Sequence, residues 1–256
     1  ILWRVKLDAP ARSAPAVGGG KVVVTAQSGV VQAFDAATGA SGWRASTEVS
    51  GAALAGAGSA AISADTVVVA GSTGQIQAFD LATGNVKWQA SITGSGSISA
   101  ITGLRDASAS PVIHGDAVYA TGIGGALVAL DLKTGDVRWQ QPIGSAETPV
   151  VSGGSLFLID LENRMIAIDL KTGKVIWSQT LPLKPSSSRK GSWAGPVMAG
   201  GKLWATSNDG RIASVDAVTG ALGVTTEIGF SGAIAPILSS GKMMVLAGDG
   251  TLIAVN

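Results

Sequence analysis

The residues of this chain that could carry chemistry are one histidine and a series of regularly spaced aspartates. His114 lies in the short sequence HGD, between two strand-like runs. A zinc site needs several histidine or cysteine ligands, and the chain has no second histidine and no cysteine. Serine and aspartate are abundant, but no G-x-S-x-G sequence marks a nucleophile. The sequence therefore predicts no catalytic residue and no metal site, and we interpret His114 as an exposed turn residue.

The aspartates belong to a repeated sequence, D-x-x-T-G, of which residues 75–90 give a clear copy, QIQAFDLATGNVKWQA. Alternating apolar and small residues lead to each aspartate, a pattern typical of a strand, and a tryptophan follows eight residues later. Asp and Thr can bond turn backbone and Gly accepts positive φ, so the motif predicts a hairpin and not a pair of catalytic carboxylates. The repeated residues are Asp35, Asp80, Asp131, Asp169 and Asp216, with Trp43, Trp88, Trp139 and Trp177, and Val224 in the tryptophan position of the fifth copy.

Composition narrows the class of protein. The chain has 256 residues, of which 46% are hydrophobic, and this is enough apolar material for a sizeable core. Its 36 glycines and its charged fraction of only 14% are typical of short strands joined by tight turns. The formal net charge is +1, without a run of like charge, so nothing indicates a nucleic-acid partner. No apolar stretch approaches the length of a membrane helix.

The spacing of the repeats predicts an all-β fold, a β-propeller of four-stranded antiparallel blades. The turn aspartates recur at intervals of 38 to 51 residues, close to the period of propeller blades, and two further strand-like runs precede each hairpin. Six blades can be counted in a single domain spanning residues 1–256. We expect residues 1–7 to add a fourth outer strand to the last blade, which would remove an exposed sheet edge. The predicted blades are residues 13–46, 59–90, 110–141, 148–179, 195–226 and 235–256.

Long connections between blades are the places where function is expected. The longest are residues 91–109 and 180–192. The second contains Lys184, Arg189 and Lys190, which we interpret as a solvated loop. The sequence NDG at residues 208–210 is interpreted as a hairpin turn because the ligand spacing of a calcium loop is missing.

The repeat resembles that of the pyrroloquinoline-quinone-type propellers. Its clearest copies are ALDLKTGDVRW at residues 129–139 and AIDLKTGKVIW at residues 167–177. Within that superfamily, residues 101–177 and the C-terminal DGTLIAVN resemble the BamB family, periplasmic lipoproteins of the machinery that assembles outer-membrane β-barrels. This resemblance implies a non-enzymatic scaffold at the periplasmic face of the bacterial outer membrane.

The resemblance also implies a partner and a site. The expected partner is the periplasmic POTRA region of a BamA-type insertase, with unfolded outer-membrane proteins as a second class, and no cofactor is expected. The residues that match the family's partner-binding loops are Arg12, in KLDAPARSAP, and Asp106, in GLRDASASP, with Leu104 and Arg105 beside it. Membrane attachment would depend on a lipid anchor whose cysteine this sequence lacks.

Several alternatives remain open at this stage. The resembled family has eight blades, so the six counted here form either a self-closed ring or part of a longer parent, in which Trp3 would belong to an earlier blade. A quinone-dependent dehydrogenase shares the repeat, but its calcium ligands and catalytic aspartate cannot be placed in this sequence. A ligand-binding periplasmic propeller would need an aromatic-lined mouth. Only Trp193 and Trp204 lie outside the repeated tryptophan positions and the N-terminal Trp3.

Overall fold

The structure is a computed structural model that describes residues 1–49, 58–92, 109–184, 191–232, 234–239 and 241–255. Every regular element within these ranges is a β-strand. Among the described residues, none forms a helix with the length and apolarity needed to span a lipid bilayer.

The strands form six antiparallel sheets in which consecutive strands are neighbours. The first three sheets are β1 (Ala16–Gly18), β2 (Lys21–Thr25), β3 (Val30–Asp35) and β4 (Ser41–Ser46); β5 (Ala61–Ser63), β6 (Thr66–Ala70), β7 (Gln75–Asp80) and β8 (Val86–Ser91); and β9 (Val112–His114), β10 (Ala117–Thr121), β11 (Leu127–Asp131) and β12 (Val137–Gln141). The fourth and fifth are β13 (Val150–Ser152), β14 (Ser155–Ile159), β15 (Arg164–Asp169) and β16 (Val175–Thr180); and β17 (Trp193–Ala199), β18 (Lys202–Ser207), β19 (Arg211–Asp216) and β20 (Leu222–Glu227). The sixth is β21 (Ile237–Ser239), β22 (Lys242–Leu246) and β23 (Leu252–Val255).

The chain divides into two compact units, Ile1–Ala146 with the first three sheets and Glu147–Asn256 with the other three. In the first unit, one buried cluster around Val31 and Phe79 joins the first and second sheets, and another around Ile76 and Leu130 joins the second and third. In the second unit, a cluster around Met165 and Val215 joins the fourth and fifth sheets. The buried apolar residues of these clusters therefore pack neighbouring sheets together within each unit.

Each four-stranded sheet has two distinct ends because its strands run alternately up and down. We call the end that carries the D-x-x-T-G turn, between the third and fourth strands, the repeat-turn end. The turn between the second and third strands lies at the opposite end, together with the segment that follows the fourth strand. We call this second end the loop end.

The predicted class, all-β with four-stranded antiparallel blades, is confirmed by these sheets. Residues 1–7 lie outside the assigned strands. Their predicted place in the last blade, like the single-domain boundaries, stays a prediction.

Candidate partner-binding surface

The repeat-turn ends share one hydrogen-bonding pattern. In the second sheet, Asp80 Oδ1 accepts hydrogen bonds from the N–H groups of Ala82 and Thr83, at 3.1 and 2.8 Å, and from the Thr83 hydroxyl at 2.8 Å. The Thr83 hydroxyl holds the pKa of Asp80 below its ordinary value. Gly84 completes the turn with φ of 75°. The same side-chain and backbone bonds recur at Asp35, Asp169 and Asp216.

The third sheet varies this pattern. Asp131 accepts the two backbone N–H groups, but the Thr134 hydroxyl donates to Asp136 at 2.7 Å. Arg138 bridges Asp131 and Asp116, with nitrogen–oxygen distances of 2.7 and 2.8 Å. This guanidinium lowers the pKa of Asp131 to about 2. All of these aspartates are therefore occupied in stabilising their own turns.

Tryptophans of the outer strands connect neighbouring sheets at this same end. Trp43 Nε1 donates to the Leu81 carbonyl of the second sheet at 2.8 Å, and its ring is stacked with Phe79, 6.0 Å between centroids. The ring also lies on the next turn glycine, because a Cβ added at Gly84 would be 2.5 Å from the indole. Equivalent contacts are made by Trp88 with Leu132 and Gly135 and by Trp177 with Ala217 and Gly220. Trp3, which lies outside the assigned strands, makes the same contacts with Ala36 and Gly39 of the first sheet.

Two positions in the tryptophan series differ from these. Trp139 lies in β12, with its ring centroid 5.8 Å from that of Tyr119 in the same sheet. Val224 takes the place of the tryptophan in β20, where about half of its surface is exposed.

His114 ends β9 and is exposed. Among the described residues, no group of three or more His, Cys, Asp or Glu side chains could hold a metal ion.

Arg12 lies at the loop end of the first sheet. Its backbone N–H donates to the Thr25 carbonyl at 2.8 Å, and the neighbouring Ala11 forms a bridge with Ala26. The segment that follows the second sheet leaves from the equivalent end, since the Ile92 N–H donates to the Gly74 carbonyl at 2.7 Å. Leu104, Arg105 and Asp106 belong to that segment and lie outside the described residues. The two predicted loops therefore start at the same end of neighbouring sheets.

The loop ends of the first two sheets also contain buried oxygens without partners. Among the described residues, the side-chain oxygens Thr25 Oγ1, Thr73 Oγ1, Gln75 Oε1 and Gln77 Oε1 accept or donate no hydrogen bond. Thr25 and Gln77 are only 5% and 4% exposed. Buried polar atoms normally have partners, so this end of the two sheets contains more polar groups than its internal contacts use.

In the second unit, the loop ends hold a side-chain network that sequence reasoning missed. Asn163, a buried residue with φ of 61°, accepts the Trp193 N–H at 2.9 Å and donates to the Gly191 carbonyl at 3.3 Å. Asn208 accepts the Ser192 N–H at 2.9 Å, and Asp209 accepts the Lys184 N–H at 3.3 Å. We call Asn163, Asn208 and Asp209 the loop clamp. It fixes both chain segments that flank residues 185–190.

An ion pair holds one member of the loop clamp, Asp209, in place. Asp209 and Arg211 are both nearly buried and are joined by two hydrogen bonds, with Arg211 Nε 3.0 Å from Asp209 Oδ1. Burial alone would raise the pKa of Asp209, but the bonds from Arg211 and Ser207 outweigh this and hold the pKa at about 2. Arg211 also lies 5.5 Å from the centroid of Trp193, a distance typical of a cation–π contact. Trp193 is buried, so it does not line an aromatic mouth.

Comparison with protein families gives a match over nearly the whole chain. The family model described as "Outer membrane protein assembly factor BamB" matches residues 1–179 and 182–256. Two curated relatives carry the same description, one from Shewanella oneidensis at 27% identity and one from Yersinia pestis at 29%. Each aligns over 145 residues, which is 57% of this chain. The match spans only 37% of the length of each relative.

Solved structures support the β-propeller fold. BamB from Moraxella catarrhalis superposes with a TM-score of 0.81 at 22% identity, over 98% of this chain and 73% of that one. A europium-containing methanol dehydrogenase has a TM-score of 0.70 at 14% identity, over 94% of this chain and 66% of its own. A quinohemoprotein alcohol dehydrogenase from Pseudomonas putida has a TM-score of 0.63 at 17% identity, over 88% of this chain and 43% of its own. The predicted propeller class is confirmed, and at these identities the likeness concerns the fold alone.

Proposed function

Because the chain belongs to the outer membrane protein assembly factor BamB family, we propose that it is a non-enzymatic scaffold in the assembly of outer-membrane β-barrel proteins. In this role it binds the periplasmic POTRA region of a BamA-type insertase, and it acts at the periplasmic face of the outer membrane. Unfolded outer-membrane proteins are a second class of partner. The observation that carries the proposal is the family match over residues 1–179 and 182–256.

The geometry of the two ends supports a binding role for the loop end. At the repeat-turn end, the aspartates and tryptophans are occupied in stabilising turns and joining sheets. At the loop end, the Arg12 backbone donates to the Thr25 carbonyl, and the segment that follows the second sheet leaves from the equivalent end. The two loops that match the family's partner-binding loops thus start at the same end of neighbouring sheets. We propose that the insertase contacts Arg12 and Leu104, Arg105 and Asp106.

Charge reversal tests this site directly. Arg12→Glu and Asp106→Lys, alone and together, are compared with the unaltered protein in a pull-down with the purified POTRA domains of BamA. We expect the double variant to lose most of its binding, because charged hot-spot contacts dominate small interfaces. Arg4→Glu is the matched control, since it reverses an exposed arginine on the same N-terminal segment. Unchanged capture by the double variant would remove the site assignment.

A quinone-dependent dehydrogenase is the alternative, because the chain shares its fold with a methanol dehydrogenase and a quinohemoprotein alcohol dehydrogenase. Pyrroloquinoline quinone and calcium are added to the purified protein, and the absorbance of the quinone and the oxidation of an alcohol are followed. The scaffold proposal expects neither a spectral change nor turnover. Turnover that depends on both additions would overturn it.

A further inference from the structure

A cavity of about 310 Å³ lies at the loop end of the fifth sheet, within the second unit. It is formed by the turn between β18 and β19, by the segment that follows β20, and by Lys184 from the segment that follows β16. Its volume is at the lower limit of ligand pockets and suits a single side chain. Two of the three loop-clamp residues, Asn208 and Asp209, line the cavity.

Several residues that line this cavity carry hydrogen-bond donors. The Lys184 ammonium is one. Asn208 is a second, because its Oδ1 already accepts the Ser192 N–H and the remaining group of the amide is its Nδ2 donor. Within the described part of the chain, the backbone N–H groups of Gly229, Phe230 and Ser231 have no acceptor. Such a set of donors, with one cation, fits a carboxylate ligand.

The two acidic residues of the cavity differ in how firmly they are held. Asp209 is nearly buried, and its oxygens accept bonds from Arg211, Ser207 and the backbone of Lys184, so its charge is already neutralised. The Glu227 side chain is 71% exposed, and its ion pair among the described residues is with the Lys184 ammonium, at 2.9 Å. Exposed ion pairs of this kind contribute little to stability and exchange readily with solvent. Glu227 therefore occupies the position that a carboxylate from outside would take.

An apolar surface adjoins these donors. Phe230 lines the cavity, is half-buried and packs against the buried cluster of Ile212, Met243 and Val245. A ligand that extends from Lys184 towards Phe230 would need a carboxylate at one end and an apolar group at the other. Peptides with adjacent acidic and aromatic residues have this chemistry.

We propose that this cavity binds an acidic side chain of a protein partner, which replaces Glu227 on Lys184 while an adjacent aromatic side chain packs on Phe230. The inference rests on the proposed function only in that the ligand belongs to a protein. The site lies in the second compact unit, whereas Arg12 belongs to the first. It is thus a second point of contact for the acidic, partly apolar segments of an assembly partner.

The test is a titration of the full chain with acetyl-Phe-Glu-amide, followed by NMR through the backbone amides of Gly229, Phe230 and Ser231. We expect saturable shifts at millimolar peptide, and binding about tenfold weaker for acetyl-Phe-Gln-amide, which lacks the charge. Lys184→Ala should weaken binding of the acidic peptide about tenfold, because among the described residues that line the cavity Lys184 is the one cation. Glu227→Gln should strengthen binding of the acidic peptide, because it removes the carboxylate that pairs with Lys184 in the free protein.

Lys174→Ala serves as the matched control, since Lys174 lies at a repeat turn in the same unit and is exposed. It should leave the titration unchanged. Equal binding of the two peptides, or weaker binding by Glu227→Gln, overturns the proposal. These outcomes are independent of the insertase pull-down, because either experiment can succeed while the other fails.

Discussion

The two ends of the sheets use side chains in opposite ways. At the repeat-turn ends, aspartate, threonine and glycine form nearly the same turn in sheet after sheet, and a tryptophan joins that turn to the neighbouring sheet. At the loop ends, one backbone turn also recurs between the second and third strands, but the side-chain contacts around it differ, as the loop clamp of the second unit shows. The repeated contacts at the repeat-turn end thus hold the sheets together, and the side chains at the loop end can differ from sheet to sheet.

The largest effect is expected from breaking a tryptophan contact. Trp88→Ala removes a buried indole and its bond to the Leu132 carbonyl, and should lower the free energy of unfolding by about 3 kcal/mol or more. Trp88→Phe keeps most of the packing and loses the hydrogen bond, so its cost should be nearer about 1 kcal/mol. Denaturant unfolding followed by circular dichroism measures both. Equal costs would show that the ring contributes little beyond its N–H.

The turn glycines allow a sharper test of the same contact. Gly84→Ala places a methyl group 2.5 Å from the Trp43 indole at φ of 75°, whereas Gly115→Ala has a similar φ of 60° but no atom within 4 Å. Both variants should lose about 1 to 2 kcal/mol through the backbone alone. Only Gly84→Ala should lose more, because the indole must move. If the two melting curves agree, the tryptophan is not held against the turn.

The loop clamp provides the matching experiment at the other end. Asn163→Ala leaves the Trp193 N–H and the Gly191 carbonyl without their partner and puts alanine at φ of 61°. We expect a loss of about 2 kcal/mol in the free energy of unfolding. Asn163→Gly relieves the backbone but not the missing bonds, so it should recover only part of this. Full recovery would mean that the side-chain bonds do not hold the flanking segments.

Low pH should destabilise the contacts at both ends of the sheets, with smaller effects than the substitutions above. Asp131 and Asp209 have pKa values near 2 in the folded protein, below the ordinary value of 3.8. A lowered pKa means that the unfolded chain binds protons more readily, so stability is present above pH 4 and is lost as pH falls towards 2. Melting temperatures measured over this range should therefore decline. In Asp209→Asn the melting temperature should fall less steeply with decreasing pH. An unchanged slope would contradict the lowered pKa of Asp209.

The repeat-turn end could be predicted from sequence because its contacts depend on fixed spacing. Asp80, Gly84 and Trp88 lie at fixed positions in one motif, and each acts within its own turn or on the adjacent sheet. The motif does not indicate the different bonding at Asp131. There the Thr134 hydroxyl donates to Asp136, and Arg138 donates to Asp131 instead.

The loop end could be predicted only in part. Asn163 and Trp193 are thirty residues apart and belong to different sheets, so no local pattern indicates that they bond. Trp193 lies outside the regular tryptophan spacing, but its burial beside Arg211 depends on tertiary packing. The sequence NDG predicts a turn, but it does not indicate that Asn208 and Asp209 hold a distant segment. Loop ends that are built from long-range side-chain bonds need coordinates.

The hydrogen bond from each docking indole to the next turn has a consequence for how such chains evolve. Trp3, Trp43 and Trp88 each donate to the carbonyl of the residue directly after the turn aspartate of the following repeat. The first and second repeats therefore carry both halves of one joint, a donor for the following repeat and an acceptor for the preceding tryptophan. Gene duplication or deletion of whole repeats would preserve that joint without any new interface, so repeat number can change while the loops diverge freely.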